Sequence, residues 1–123
     1  MMLRGLLALL LIAAAVPAEA QTYPQRPVRL VLGFGPGGVA DIVARTVAPK
    51  LGDALGQQVI VDNRPSAGGI VAAEAVAKAD PDGHTLLLIS GGNAVSSSLY
   101  KQLSYDPIND FAMVSSLGFF ELA

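Results

Sequence analysis

Cysteine is missing from all 123 residues, histidine occurs once, and lysine plus arginine number only 8. Without cysteine there is no disulfide, no thiolate chemistry and no lipid-anchor site. A lone histidine also leaves a structural zinc ion without a ligand set. The scarce cations never gather into a run, so the electrostatic footprint of nucleic-acid binding is absent. Charged residues make up 15% of the chain and hydrophobic ones 52%, which suits one small packed domain better than a disordered segment.

Met1-Met2-Leu3-Arg4 puts a positive charge ahead of a Leu- and Ala-rich stretch, Gly5 to Ala18, and Ala18-Glu-Ala20 has the small-x-small form of a cleavage site. This three-part order describes a secretory signal. The stretch is 14 residues long, short of the ~20 a spanning helix needs. The sequence therefore predicts a signal peptide over residues 1–20 and a periplasmic mature chain from Gln21, with no stable membrane insertion. Signal removal takes away one cation, Arg4, and one anion, Glu19, so the net charge stays at −2.

After Gln21 the chain alternates between apolar runs and helical stretches. Pro27 to Phe34 reads as a first strand. Val39 to Leu55 reads as one helix bent at Pro49, with Val39, Ile42, Val43, Val47, Leu51 and Leu55 as its core stripe. Gln58 to Asp62 is a second strand, and Asn63 to Gly69 a loop dense in turn formers. Ile70 to Ala79 is helical, with Glu74 and Lys78 paired one turn apart. Asp80-Pro-Asp-Gly83 fits a type I turn. Thr85 to Ser90 reads as a third strand buried on both faces. A short helix from Ala94 to Leu103, a turn over Asp106–Asp110 and a fourth strand from Phe111 to Phe120 complete the expectation. Strand–helix alternation of this kind predicts an α/β fold with a parallel sheet and right-handed crossovers.

The richest stretch is Leu30-Val-Leu-Gly-Phe-Gly-Pro-Gly-Gly-Val-Ala-Asp41, where a strand breaks into glycines and re-forms as a helix. Amides left unpaired at such a helix start, backed by the helix dipole, suit an anion. Glycines let a ligand approach the main chain closely. Backbone N–H groups of Gly35, Gly37 and Gly38 are thus candidates to hold a carboxylate. Asp41 either caps the helix start, holds the loop in shape, or faces an amino group of the ligand. In parallel sheets ligands collect at the carboxyl ends of the strands. This makes Ser90, Gly92 and Asn93 further candidates. Ala67 to Gly69 reads as a helix cap, and Arg64 beside Asp62 as a surface ion pair.

Gly33-x-Gly35-x-x-Gly38 also matches the dinucleotide-binding fingerprint, with Asp62 as the ribose-binding acid. Pro36 in the turn, the negative charge of Asp41 and the export signal all weigh against that alternative. No catalytic constellation is visible: Ser96, Ser97 and Ser98 lack a nucleophile frame and His84 has no partner in sequence. Binding without catalysis, cofactor or metal is the expectation. The rival classes are a dinucleotide-dependent oxidoreductase, an exported hydrolase, and a module that binds nothing.

The chain resembles the periplasmic solute receptors of tripartite tricarboxylate transporters, often called Bug receptors. The likeness rests on Phe34-Gly-Pro-Gly-Gly-Val-Ala-Asp41, Leu55-Gly-Gln57, Asn63-Arg-Pro-Ser-Ala-Gly-Gly69 and Ala79-Asp-Pro-Asp-Gly-His-Thr-Leu-Leu87. Leu99-Tyr-Lys101, Tyr105-Asp-Pro107 and Asp110-Phe111 extend it. Two departures stand out: Gly35-Pro36 reverses the family order, and His84 replaces an aromatic. The resemblance implies a type 2 periplasmic-binding-protein-like fold, of which residues 21–123 are the incomplete N-terminal lobe and the second lobe is absent. It also implies a small carboxylate ligand (dicarboxylate, tricarboxylate or acidic amino acid) handed to membrane permease subunits. Phe34, Gly35, Gly37, Gly38, Asp41, Ser90, Gly92 and Asn93 are the residues expected at the ligand.

Overall fold

The computed structural model describes residues 22–118. The expected signal peptide lies outside them. Three parallel strands form the sheet: β1 (Val28–Leu32), β2 (Val59–Asn63) and β3 (Thr85–Leu88), in the order β2-β1-β3. The ladder runs from Val28 opposite Val59 to Leu32 opposite Asn63 on one side, and from Arg29 opposite Thr85 to Leu32 opposite Leu88 on the other. Paired on both sides, β1 is the central strand. Its Val28, Leu30, Val31 and Leu32 are all buried, as its unbroken apolar sequence requires.

Helix α1 (Val39–Leu55) packs across β1 and β2, and α2 (Ile70–Ala77) across β1 and β3. A 3-10 turn, Ala67–Gly69, leads into α2, and α3 (Gly91–Leu99) follows β3. Helix α1 keeps the expected bounds, with Pro49 inside it on the exposed side. It ends at Gly56, whose left-handed φ of 69° turns its N–H back to the Gly52 carbonyl, as a glycine stop should.

The face that α1 buries keeps Leu51 and Leu55 of the expected stripe but is centred on alanines instead of Val39 and Ile42. Ala44 and Ala48 are buried against Val28, Leu30, Leu32 and Val59, with Ala40, Leu51 and Leu55 alongside. Val39 and Ile42 are 66% and 59% exposed. Alanines let the helix backbone lie close to the sheet, whereas the larger branched residues sit on the flanks. Size, not hydrophobicity alone, chose the face.

Three further expectations are corrected. β3 is half-buried throughout rather than buried on both faces, because it has one strand neighbour among the described residues. α3 begins at Gly91, three positions before Ala94, and ends at Leu99. Ser90 caps it early enough to offset the low helix propensity of Gly91 and Gly92. Phe111 to Gly118 is not a strand, and Met113 and Val114 are 78% and 82% exposed. An apolar run without a strand to pair with gains no ladder; Phe119 and Phe120 lie outside the described residues. The Asp106–Asp110 turn does form, with the Asp106 Oδ1 accepting the N–H groups of Ile108 and Asn109.

Candidate functional site

Because the strands are parallel, all three strand-to-helix loops emerge at one edge. Gly33–Gly38 leads into α1, Arg64–Gly69 into α2, and Ile89–Ser90 into α3. The three helix starts are finished differently. At α3, Ser90 Oγ accepts the Gly92 N–H at 3.3 Å while Asn93 Oδ1 accepts the Ser90 N–H at 3.2 Å, a reciprocal capping box. At α2, Ser66 Oγ accepts the Val71 N–H at 3.0 Å. At α1 the N-cap is Gly38, and no side chain caps it. The first-turn amides of Val39, Ala40 and Asp41 are therefore left to water or a ligand.

Within the α1 loop, Gly37 has a φ of 85°, and a Cβ added at Gly35 or Gly37 would meet nothing within 4 Å. Space thus lies open in front of both glycines. The Gly37 N–H, however, is already taken: it donates to Asp41 Oδ2 at 2.9 Å. Of the proposed amide donors, Gly37 points inward to hold the loop.

Asp41 is the organising residue. Only 3% exposed, its carboxylate accepts from Arg45 Nε at 3.0 Å to each oxygen, from Asn63 Nδ2 at 2.9 Å and from Gly37 N–H. Asn63 Nδ2 also donates to the Phe34 carbonyl at 3.0 Å, and Arg45 Nη2 to Asn63 Oδ1. This ring ties the first turn of α1 to the last residue of β2 and to the glycine loop. Hydrogen bonds from Arg45, Gly37 and Asn63 lower the Asp41 pKa from 3.8 to about 2, against the opposing effect of burial. Asp41 therefore holds the loop instead of capping the helix's own N–H groups.

Phe34 lies half-buried, its ring 3.3 Å from where a Cβ on Gly92 would stand, so it bridges the first and third loops. Asn93 and Ser96 are buried. Asn93 Nδ2 donates to the Gly69 carbonyl at 3.4 Å, and Ser96 Oγ to the carbonyls of Gly68 and Gly92 at 3.2 and 2.9 Å. Ser90 and Asn93 thus fasten loops and cap α3, while Gly35 and Gly38 front the open corner.

Sequence reading passed over Arg45, Asn63, Ser66 and Ser96. The i,i+4 spacing of Asp41 and Arg45 was a readable signal; the roles of Asn63 and Ser96 depend on tertiary neighbours. The glycine fingerprint takes on another meaning here. A Cβ on Gly33 would strike the Gly69 Cα at 2.3 Å, so Gly33 serves loop-to-loop packing. Asp62, the supposed ribose acid, is engaged by Arg29 and Arg64. Burial would raise its pKa, but those two guanidinium groups lower it on balance.

A hollow of about 930 Å³ lies elsewhere, between α1 and β2, and none of the three loops lines it. His84 is buried at the opposite edge, its N–H on Asp82 Oδ1 at 3.0 Å and its ring 5.1 Å from that of Tyr23.

Residues 43–121 match the family model described as the tripartite tricarboxylate transporter family receptor. The chain belongs to this receptor family. It is 48% identical over 105 residues to a UPF0065 protein of Bordetella pertussis, covering 85% of this chain and 32% of that one. Among solved structures it is similar to the periplasmic binding protein BugD, with 43% identity and a TM-score of 0.69 over 72% of this chain and 30% of that one. It is also similar to MatC from Rhodopseudomonas palustris with bound malate, with 40% identity and a TM-score of 0.65 over 72% of this chain and 31% of the other. The chain thus spans about a third of the length of these family members. The α/β fold with its parallel sheet is that of the family.

Proposed function

We propose that the chain supplies one lobe of a periplasmic solute receptor that captures a small carboxylate and presents it to membrane permease subunits. The observation that carries this reading is the uncapped start of α1 beside an open glycine loop at the carboxyl edge of the sheet. A carboxylate there accepts hydrogen bonds from main-chain amides and gains from the helix dipole without any arginine. Ion pairing leaves Arg29, Arg45 and Arg64 engaged with Asp62 and Asp41, so main-chain dipoles make the contact. Malate bound to a family member of 40% identity supports the ligand class.

The receptor reading implies binding without chemistry and a second lobe that completes the cleft. One lobe alone should bind weakly, with a millimolar Kd worth about −4 kcal/mol. An amide NMR titration of the mature chain with malate tests this. Shifts should concentrate on Gly35 and on residues 38–41. Absence of those shifts, or larger ones on adding NAD, would reverse the proposal. A micromolar Kd would show that no second lobe is needed.

A further inference from the structure

Arg45 sits one helical turn beyond Asp41, donates Nε to both of its carboxylate oxygens and is itself half exposed. The carboxylate it covers is buried and hydrogen-bonded to Gly37 within the loop that fronts the open helix start. A buried negative charge in that place opposes any anion approaching the Val39–Asp41 amides. Yet Asp41 holds the loop's shape through two neutral donors on different oxygens, Gly37 N–H on Oδ2 and Asn63 Nδ2 on Oδ1, and the single oxygen of an asparagine can still accept the Gly37 N–H. The charge can therefore be removed with the Gly37 fastening kept, at the cost of the Asn63 bond.

Resting on the carboxylate reading above, we infer that Arg45 is a positioning residue for binding that acts by cancelling the charge of Asp41, so that the corner admits an anion. The geometry favours it over the other cations: Arg26, Arg29, Arg64 and Lys78 each pair with an acid outside the glycine loop. Arg45 alone among the described arginines pairs with the acid that ties that loop. A purely mechanical role for Arg45 makes the opposite forecast, because loosening the ring further could only weaken binding.

The test is a double-mutant cycle on the mature chain, read by NMR titration with malate and with lactate at constant ionic strength. Arg45→Gln should raise the malate Kd about fivefold, an order of magnitude set by one uncancelled charge at the protein–water boundary, and raise the lactate Kd less. Adding Asp41→Asn to Arg45→Gln should recover part of the malate affinity that Arg45→Gln loses, short of the parent because the Asn63 bond to Oδ1 goes with the charge. Arg45→Lys, which keeps the charge, should stay close to the parent. Losses in Arg45→Gln should shrink as salt is raised. If the parent binds malate but the double variant binds worse than Arg45→Gln, the charge role is overturned while the receptor reading stands. If the parent binds no carboxylate at all, the receptor reading fails and this inference with it. Amide hydrogen exchange at Gly37 follows the loop without ligand: equal protection in the double variant and the parent supports the separation of the Gly37 fastening from the charge, and its collapse overturns it.

Discussion

Gly33 and Gly69 touch backbone to backbone: a Cβ on the first would come within 2.3 Å of the Cα of the second. Two loops that belong to different strand–helix units are thereby pressed into one surface. Gly33 cannot be enlarged unless a main chain moves, and a Cβ on Gly69 would crowd the Asn93 side chain at 2.8 Å from a φ of 73°. Gly33→Ala should therefore destabilise the chain by about 1–3 kcal/mol, the usual cost of overpacking, read as a lower thermal midpoint. Gly35→Ala provides the contrast, since its Cβ would meet nothing within 4 Å. Its midpoint should stay within about 0.5 kcal/mol of the parent while malate shifts weaken. Equal melting of the two variants would refute the packing role of Gly33.

Ser96 closes the third side of this junction, only 2% exposed and bonded to the carbonyls of Gly68 and Gly92. Ser96→Ala should cost about 1–2 kcal/mol in denaturant unfolding, because the shared hydrogen bond of its buried hydroxyl to the Gly68 and Gly92 carbonyls is lost. Gly68→Ala should cost more, since its Cβ would overlap Ser96 Oγ at 1.6 Å from a φ of 62°. A smaller loss in Gly68→Ala than in Ser96→Ala would contradict this ranking.

Acid should loosen the fold in a defined window. The pKa of Asp41 falls from 3.8 to about 2 through Arg45, Gly37 and Asn63, and that of Asp82 falls to about 2 through the His84 N–H and then Arg26. Both folded-state values lie below the unfolded ones. The stability they confer is therefore present above pH 3.8 and is lost as pH falls towards about 2. Thermal midpoints should drop across that interval, and Asp82→Asn should start lower at neutral pH but fall less steeply. A slope in Asp82→Asn equal to the parent's would show that Asp82 is not linked to the transition.

Processing makes a separate forecast. Expressed with its leader in a Gram-negative host, the chain should be recovered from the periplasm with Gln21 first, as intact mass and N-terminal sequencing would read. Recovery from the cytoplasm with Met1 in place would reject the signal peptide.

Helix α1 was legible because glycines bracket it: Gly38 before and Gly56 after set both ends from the chain's own chemistry. Its buried face was not, since Ala44 and Ala48 outrank larger neighbours only when a sheet lies close beneath them. The same limit applies to Phe111–Gly118, whose apolar run has no strand to pair with among the described residues. At the site, the glycine corner announced itself in sequence. The inward turn of the Gly37 N–H and the burial of Asn93 did not, because each depends on a partner supplied by a distant segment or by the fold of the loop.

The fastening of Gly37 by Asp41 exists before any guest arrives. The loop's conformational freedom is thus surrendered when the chain folds, not at the moment of capture. A rigid rim of this kind should exchange guests quickly and with little heat-capacity change from its own ordering, leaving whatever large motion the receptor makes to elements other than this corner.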